Sequence, residues 1–527
     1  MENETSFSTA DYVVFAIVLL FSSGIGIYYA FCGGRQKTSG EFLMADRSMG
    51  FFPVAMSLIA SLFTGIYIQG VTADVYFRGT MFWWNVIPQA LTCWIAGRCF
   101  LPIYFRLGLT SIYEYLELRF STSIRNVGVI ICYFFMILHS GVATFAASLA
   151  LKAVTGIELT PAVLILSGVC MFYTALGGMK AVLWADCFQM FIVFAGLFCA
   201  IIEGALTVGG LKEVWRIAED NGRIIFDNWD PAEYATFWNI AIFGAVGWLP
   251  AQAISQYQIQ RYLSCKDFRT ANLALTTYAI GCMIVTSLCC LAGLCIFAYY
   301  SGCDPYSAGD ITFRDEILPF FIVNTMQRFP GLSGLLIAGL CCLALSVQTY
   351  SGINVLALII LFYKYSTVSS VENALTAVTG QHFIKGFWPN ISEATYTLIN
   401  KGLVLLFGVI IIGATFLMSI MGDLVPTLLG IIGVTNSPIL GVFCLGIFSK
   451  RTTSKGAWIG FIVSVAVGMW ILIGSLHYPS PPKSLSLTID ECPNDDYVYN
   501  ATTVVYTFVT EWFNVSTTES IQEEWSV

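Results

Sequence analysis

From Tyr12 to about residue 476 the chain repeats one unit, an apolar window of about 20 residues closed by a polar break. As a helix, each window matches the roughly 30 Å hydrocarbon core of a bilayer. Inside lipid a backbone amide finds no water, so a window of that length closes its hydrogen bonds within itself, as an α-helix. The windows fall at roughly 11–32, 50–75, 82–104, 125–150, 158–177, 184–207, 238–260, 272–300, 331–363, 400–420, 424–448 and 455–476. These predict an all-α polytopic membrane protein of about 12 spans, with one transmembrane domain over 1–477 and a polar tail over 478–527. Only 11% of the 527 residues are charged, against about 25% in an average soluble domain. The lipid bilayer is the expected surrounding, and a nucleic-acid partner is not expected.

The first window follows acidic MENETSFSTAD rather than a basic stretch and lacks a small-residue cleavage site, so it is expected to stay as the first helix. If the N-terminus is outside, 16 of the 25 Lys and Arg residues fall in inside loops. The same orientation puts the acid-rich loop at about 208–237 outside, with sequons at Asn3, Asn500 and Asn514, and leaves the one at Asn390 inside. This predicts a plasma-membrane protein with an extracellular N-terminus and an extracellular, glycosylatable tail. Most of the 17 cysteines lie in apolar windows, where Cys behaves as a small hydrophobe. Cys303 and Cys492 lie in outside loops, free to pair or to remain thiols.

Two windows are interrupted. The second carries SLFTGIYIQG, with Gly65 and Gly70 flanking Tyr67 and Gln69, and the seventh carries FGAVGWLPAQ, with Gly244, Gly247 and Pro250. Unwound helix exposes carbonyls that can bind an ion, although glycine also serves close helix packing. The matched breaks lie five windows apart and run in opposite directions, the spacing of a five-plus-five inverted repeat. Repeat one then covers about 50–207 and repeat two about 238–448, with one extra helix before the core and one after.

A third feature is Ser366-Thr367-Val368-Ser369-Ser370, a hydroxyl cluster after a very long apolar run. In water it is an ordinary cap or loop; within a membrane protein, converging hydroxyls can replace the water around a cation. Asp186 opens the sixth window, where a carboxylate can cap the helix or pair with Lys180. His139 reads as a hydrogen-bonded span residue rather than a proton relay. Nothing resembles a catalytic triad, a metal cluster or a phosphate loop, so the chain is not expected to be an enzyme or to need a cofactor.

Residues 173–189, YTALGGMKAVLWADCFQ, resemble the signature of the sodium:solute symporter family, and Pro438 to Phe448 resemble its second signature. TSIYEYLELRF, QIQRYLSCKD, CDPYSAGDI and FPGLSGLLIAG extend the likeness along almost the whole chain, closest to the monocarboxylate, multivitamin and iodide branch. The resemblance implies a leucine-transporter-like inverted-repeat core and sodium-driven alternating access for a small organic anion. It also implies a sodium site built from backbone at Thr64 and Tyr67 and from the hydroxyls of Ser366 and Thr367, with Asp186 in ion release. The implied solute pocket is lined by Tyr67, Gln69, Trp248 and Gln252.

Against the family pattern, VQTYSGINVLALIILFYKYS at 347–366 looks like a 20-residue insertion. Joining Ser346 to Thr367 restores the family's spacing and makes Ser346 the alternative first hydroxyl; Thr349 is a further hydroxyl at similar depth. If the insertion continues the helix, it adds about 30 Å and pushes Ser366 and Thr367 out of the membrane. A retained, in-frame intron or a gene-model error would account for such a segment. The rival expectation to transport is a non-transporting isoform or a membrane sensor that keeps the fold.

Overall fold

The structure, a computed structural model, describes residues 13–14, 28, 43–63, 65–109, 111–155, 157–230, 233, 236–325, 367–384, 386, 388, 390–418, 424–477, 485–490 and 492. Thr64, Ser346, Thr349, Ser366, Asn3, Asn500, Asn514 and the segment 347–366 lie outside the described residues. Among those described, the regular elements are helices, joined by one isolated β-bridge.

In chain order the helices are α1 (Phe51–Leu62), α2 (Gly65–Arg78), α3 (Val86–Ile95), α4 (Leu101–Leu107), α5 (Tyr113–Arg119), α6 (Thr122–Thr155), α7 (Leu159–Val208) and α8 (Leu211–Asp220). They continue with α9 (Phe237–Ala253), α10 (Gln256–Leu263), α11 (Phe268–Tyr299), α12 (Pro305–Ala308), α13 (Ile317–Thr325), α14 (Thr367–Thr379), α15 (Glu393–Met418), α16 (Leu424–Phe448) and α17 (Ser454–His477). Six stretches among the described residues are long and apolar enough to cross a membrane alone: Thr80–Leu107, Thr122–Phe145, Val182–Val208, Phe268–Tyr299, Thr395–Leu417 and Ser454–Gly474.

Two further crossings are bent pairs, α1 with α2 at 53° and α9 with α10 at 52°. The first breaks after Phe63, whose ψ of 64° is not helical. In the second, Pro250 lacks an amide proton, and Ser255 (φ −85°, ψ 119°) leaves the helix before Gln256 restarts it. These are the two windows that the glycine and proline pattern singled out.

α11 packs along both halves of the first bent pair. A Cβ on Gly293 would come within 2.7 Å of the Thr72 carbonyl oxygen, and one on Gly281 would meet the Ile59 side chain. Backbones approach this closely because membrane helices gain little from apolar burial and depend on tight packing at small residues.

One expectation changes. Residues 178–183, expected as a break between the fifth and sixth windows, are helical, so that both windows fall within the 50-residue α7. Gly177 and Gly178 lower helix propensity but keep their N–H groups, and no proline follows Pro161 within the helix. From Thr367 onward α14 packs against α7, α6 and α15, and Val371, Glu372, Asn373, Ala374 and Leu375 are fully buried.

Candidate functional site

The two bent pairs meet through polar side chains. Tyr67, in the first turn of α2, is buried, and its hydroxyl lies 3.0 Å from Thr286 Oγ1 on α11. Thr286 Oγ1 donates to Gln89 Oε1 at 3.0 Å, and Gln89 Nε2 donates to the Tyr67 hydroxyl at 2.8 Å. Since the Thr286 proton is committed to Gln89, Tyr67 donates to Thr286. The three side chains form a closed ring in which each bond polarises the next.

Asn85 links this ring to the second bent pair. Its Nδ2 donates to the Tyr67 hydroxyl at 3.4 Å, while its Oδ1 accepts from Trp248 Nε1 at 2.9 Å. The Tyr67 and Trp248 rings also meet edge to face, with centroids 5.8 Å apart, and Phe63 and Phe82 close further sides. Such aromatic walls with polar tips suit a small organic solute.

Tyr67 and Trp248 are thus brought together. Gln252 sits one turn beyond Trp248 on α9; its Nε2 donates to the Tyr278 hydroxyl at 2.8 Å, and its buried Oε1 has no partner among the described residues. Gln69, two residues after Tyr67, leaves α2 in a different direction. It is buried, and its Nε2 is a donor with no partner among the described residues.

Asp186 lies elsewhere, buried on α7. Its Oδ2 accepts from Ser57 Oγ of α1 at 2.5 Å and from an Arg261 NH2 group of α10 at 3.3 Å, and Arg261 Nε donates to Ser57 Oγ at 2.7 Å. Arg261 and Asp186 are each 1% exposed. Lys180, the other local partner open to Asp186, pairs with Asp46 at 3.7 Å. Hence Asp186 joins both bent pairs at once, and two backbone bonds reinforce that junction, Met49 N to Ser264 O at 3.0 Å and Lys266 N to Met49 O at 3.3 Å. His139 packs its ring on Tyr257, and its buried Nδ1 has no partner among the described residues.

Of the sodium-site candidates, Tyr67 and the backbone of Thr367 are described, with Thr367 opening α14. Cys303 and Cys492 are disulfide-bonded, with Cα atoms 5.0 Å apart. Asn85, Gln89, Thr286, Ser57 and Arg261 were not singled out from sequence. Each is a lone polar residue in an apolar helix or a family-like motif, and nothing in the local pattern separates it from packing.

Residues 42–464 match the profile of the sodium:solute symporter family. The chain is 39% identical over 488 residues to sodium-coupled monocarboxylate transporter 1 of Mus musculus, covering 92% of this chain and 77% of the relative. It is 38% identical over 492 residues to sodium-coupled monocarboxylate transporter 2 of Bos taurus, covering 92% and 76%. With the sodium-dependent multivitamin transporter of Oryctolagus cuniculus it shares 37% over 496 residues, 92% of this chain and 74% of the relative. Among solved structures, a substrate-bound, outward-open Na+-coupled sialic acid symporter superposes with a TM-score of 0.73 at 20% identity, covering 91% of this chain and all of that one. That likeness shows the fold, an inverted-repeat core with paired broken helices.

Proposed function

The chain belongs to the sodium:solute symporter family, and from that premise we propose that it carries a small organic anion of the monocarboxylate or vitamin type across the plasma membrane with sodium. It is a sodium-coupled symporter, not an enzyme. The observation that carries the substrate proposal is the donor-rich site between the two broken helices. Asn85 and Gln89 each keep one N–H beyond the bond they make to the Tyr67 hydroxyl, and Gln69 Nε2 is a buried donor without a partner among the described residues, while the Tyr67 and Trp248 hydrogens hold the network together. A carboxylate accepts several hydrogen bonds and donates none, so it fits such a site better than a neutral polyol does.

Sodium, the co-substrate, is assigned to the break in the first bent pair. Backbone carbonyls at Thr64 and Tyr67 would supply hard oxygen ligands, with the hydroxyls of Thr367 and either Ser366 or Ser346 completing the set. Burial of α14 supports this assignment, because it keeps the helix opened by Thr367 within the bundle. Asp186 lies on the release route in this reading, where departing sodium would compete with Arg261 for the carboxylate. Each charge moved down the membrane potential contributes about 2.3 kcal/mol per 100 mV to uphill transport.

We also place the Met49/Cys265 end of the bundle in the cytoplasm and the Cys303–Cys492 end outside. The disulfide supports that orientation, because such bonds persist in oxidising compartments. The transmembrane domain spans 1–477, with 347–366 inserted into the ninth span and 478–527 as an extracellular tail. Uptake of labelled lactate, nicotinate and biotin, with and without external sodium, tests the reading in the full chain and in one lacking 347–366. The reading fails if neither chain shows sodium-dependent uptake of any of these anions.

A further inference from the structure

At the end of α2 far from Met49, an arginine is buried with no carboxylate at ion-pair distance among the described residues. Arg223 is fully buried. Among the described residues its guanidinium donates to backbone carbonyls alone: Nε to Tyr76 at 3.0 Å, one NH2 group to Ser486 at 2.8 Å and the other to Asn221 at 3.4 Å. It stacks 4.1 Å above the centre of the Phe297 ring of α11.

Two of its neighbours belong to the last turn of α2, whose final carbonyls have no partner inside the helix. Arg223 takes the Tyr76 carbonyl, and the backbone N–H of Leu485 takes that of Phe77 at 2.9 Å. A cation at a helix C-terminus also faces the negative end of its dipole. The helix then stops at Gly79 (φ 89°), where a Cβ would come within 2.6 Å of the Arg223 carbonyl oxygen, and Thr80 N donates to that oxygen at 3.0 Å.

Leu485 and Ser486 belong to a short strap, described over 485–490 and at Cys492, which runs from the α2 end to the α11–α12 turn. Asp304 N donates to Thr488 O at 2.9 Å, Thr488 Oγ1 to Ser301 O at 2.6 Å, and the Cys303–Cys492 disulfide closes the strap. From the other side, the Tyr76 hydroxyl donates to Asp304 Oδ1 at 2.7 Å. α2 is therefore fastened at its far end to residues from three other parts of the chain, while its near end carries Tyr67.

We propose that Arg223 is a positioning residue for transport: by capping α2 and binding the 485–492 strap to it, Arg223 sets how far the outer half of the broken helix swings when the site opens. This rests on the symport reading. α2 is a rod of about 21 Å, so a tilt fixed at Tyr76 is felt at the Tyr67 ring. Loosening the cap changes the balance of open and closed forms, and with it the sodium concentration that half-saturates uptake.

The test compares Arg223→Gln, Arg223→Lys and the pair Cys303→Ser with Cys492→Ser in the full chain. Hydrogen–deuterium exchange on the purified proteins reads the fastening whether or not they transport. Exchange over 65–78 is expected to rise roughly tenfold in Arg223→Gln and in the cysteine pair, with α6 and α17 unchanged, as losing charge-assisted bonds would dictate. Arg223→Lys keeps the charge and recovers part of the protection. In uptake assays normalised to surface protein, both loosened forms shift half-saturating sodium in one direction by about threefold or more. Wild-type exchange over 65–78, or an unchanged sodium dependence with only fewer molecules at the surface, overturns the proposal. Should Arg223→Gln fail to fold, the cysteine pair decides alone, and absence of sodium-dependent uptake in the wild type counts against the symport reading while exchange still decides the fastening.

Discussion

Arg261 and Asp186 face each other at 3.3 Å, each 1% exposed, with the Ser57 hydroxyl bonded to both. The three residues come from the two broken helices and from α7, so the pair is a joint between separate elements rather than a brace within one helix. A buried pair contributes little net stability, yet breaking it leaves a bare charge inside.

Arg261→Gln or Asp186→Asn alone should therefore cost about 3–5 kcal/mol, and the double variant clearly less than the sum of the singles. Thermal unfolding of the solubilised protein measures this. Additive losses would show that the two residues do not act on each other.

Tyr67→Phe removes the hydroxyl that accepts from Gln89 and donates to Thr286, while leaving the ring against Trp248. Orphaning a buried amide costs about 1–3 kcal/mol. We expect KM for the transported anion to rise about tenfold or more with surface protein unchanged. An unaltered KM would remove the ring of hydrogen bonds from solute binding.

Thr367→Ala, placed in the chain that lacks 347–366, should raise the sodium concentration for half-maximal uptake. Sodium titration of anion uptake checks this, and an unchanged curve would take Thr367 out of the site.

If the tail is outside, Asn500→Gln and Asn514→Gln each remove one glycan, and Asn390→Gln removes none. Gel mobility before and after glycosidase treatment distinguishes them; a glycan on Asn390 would invert the assigned orientation.

His382 lies in the π-helical turn Gly380–Ile384 that follows α14, where it meets the Ser111 hydroxyl at 2.9 Å. Burial, helped by the nearby Arg125 charge, pushes its pKa down to about 4. The unfolded chain takes up that proton near pH 6.5. The folded state gains its full benefit above about pH 6.5 and loses it as the pH falls towards 4. Replacing His382 with Gln should flatten the acid limb of stability between those values, as followed by unfolding temperature against pH.

Both breaks were legible because helix interruption is local chemistry: glycine beside Tyr67 and proline after Trp248 weaken a helix wherever it sits. Tyr67 and Trp248 followed from the family resemblance, which places the solute beside those breaks. Asn85, Gln89 and Thr286 were not legible, since a single amide or hydroxyl in an apolar helix looks the same whether it binds solute or a neighbouring helix. Asp186 was legible as a charge but not as Arg261's partner, because their 75-residue separation holds no pairing signal. Arg223 was hidden in an acid-rich loop that reads as solvated, and only the fold turns it inward.

The junction at Met49 has a consequence for how this protein is studied. Main-chain atoms make it, so exchanging side chains one at a time, the usual way to map a transporter, leaves it intact. Proline in place of Lys266 would remove the donor to the Met49 carbonyl, and such a backbone edit is the kind of change that could uncouple one half of the molecule from the other.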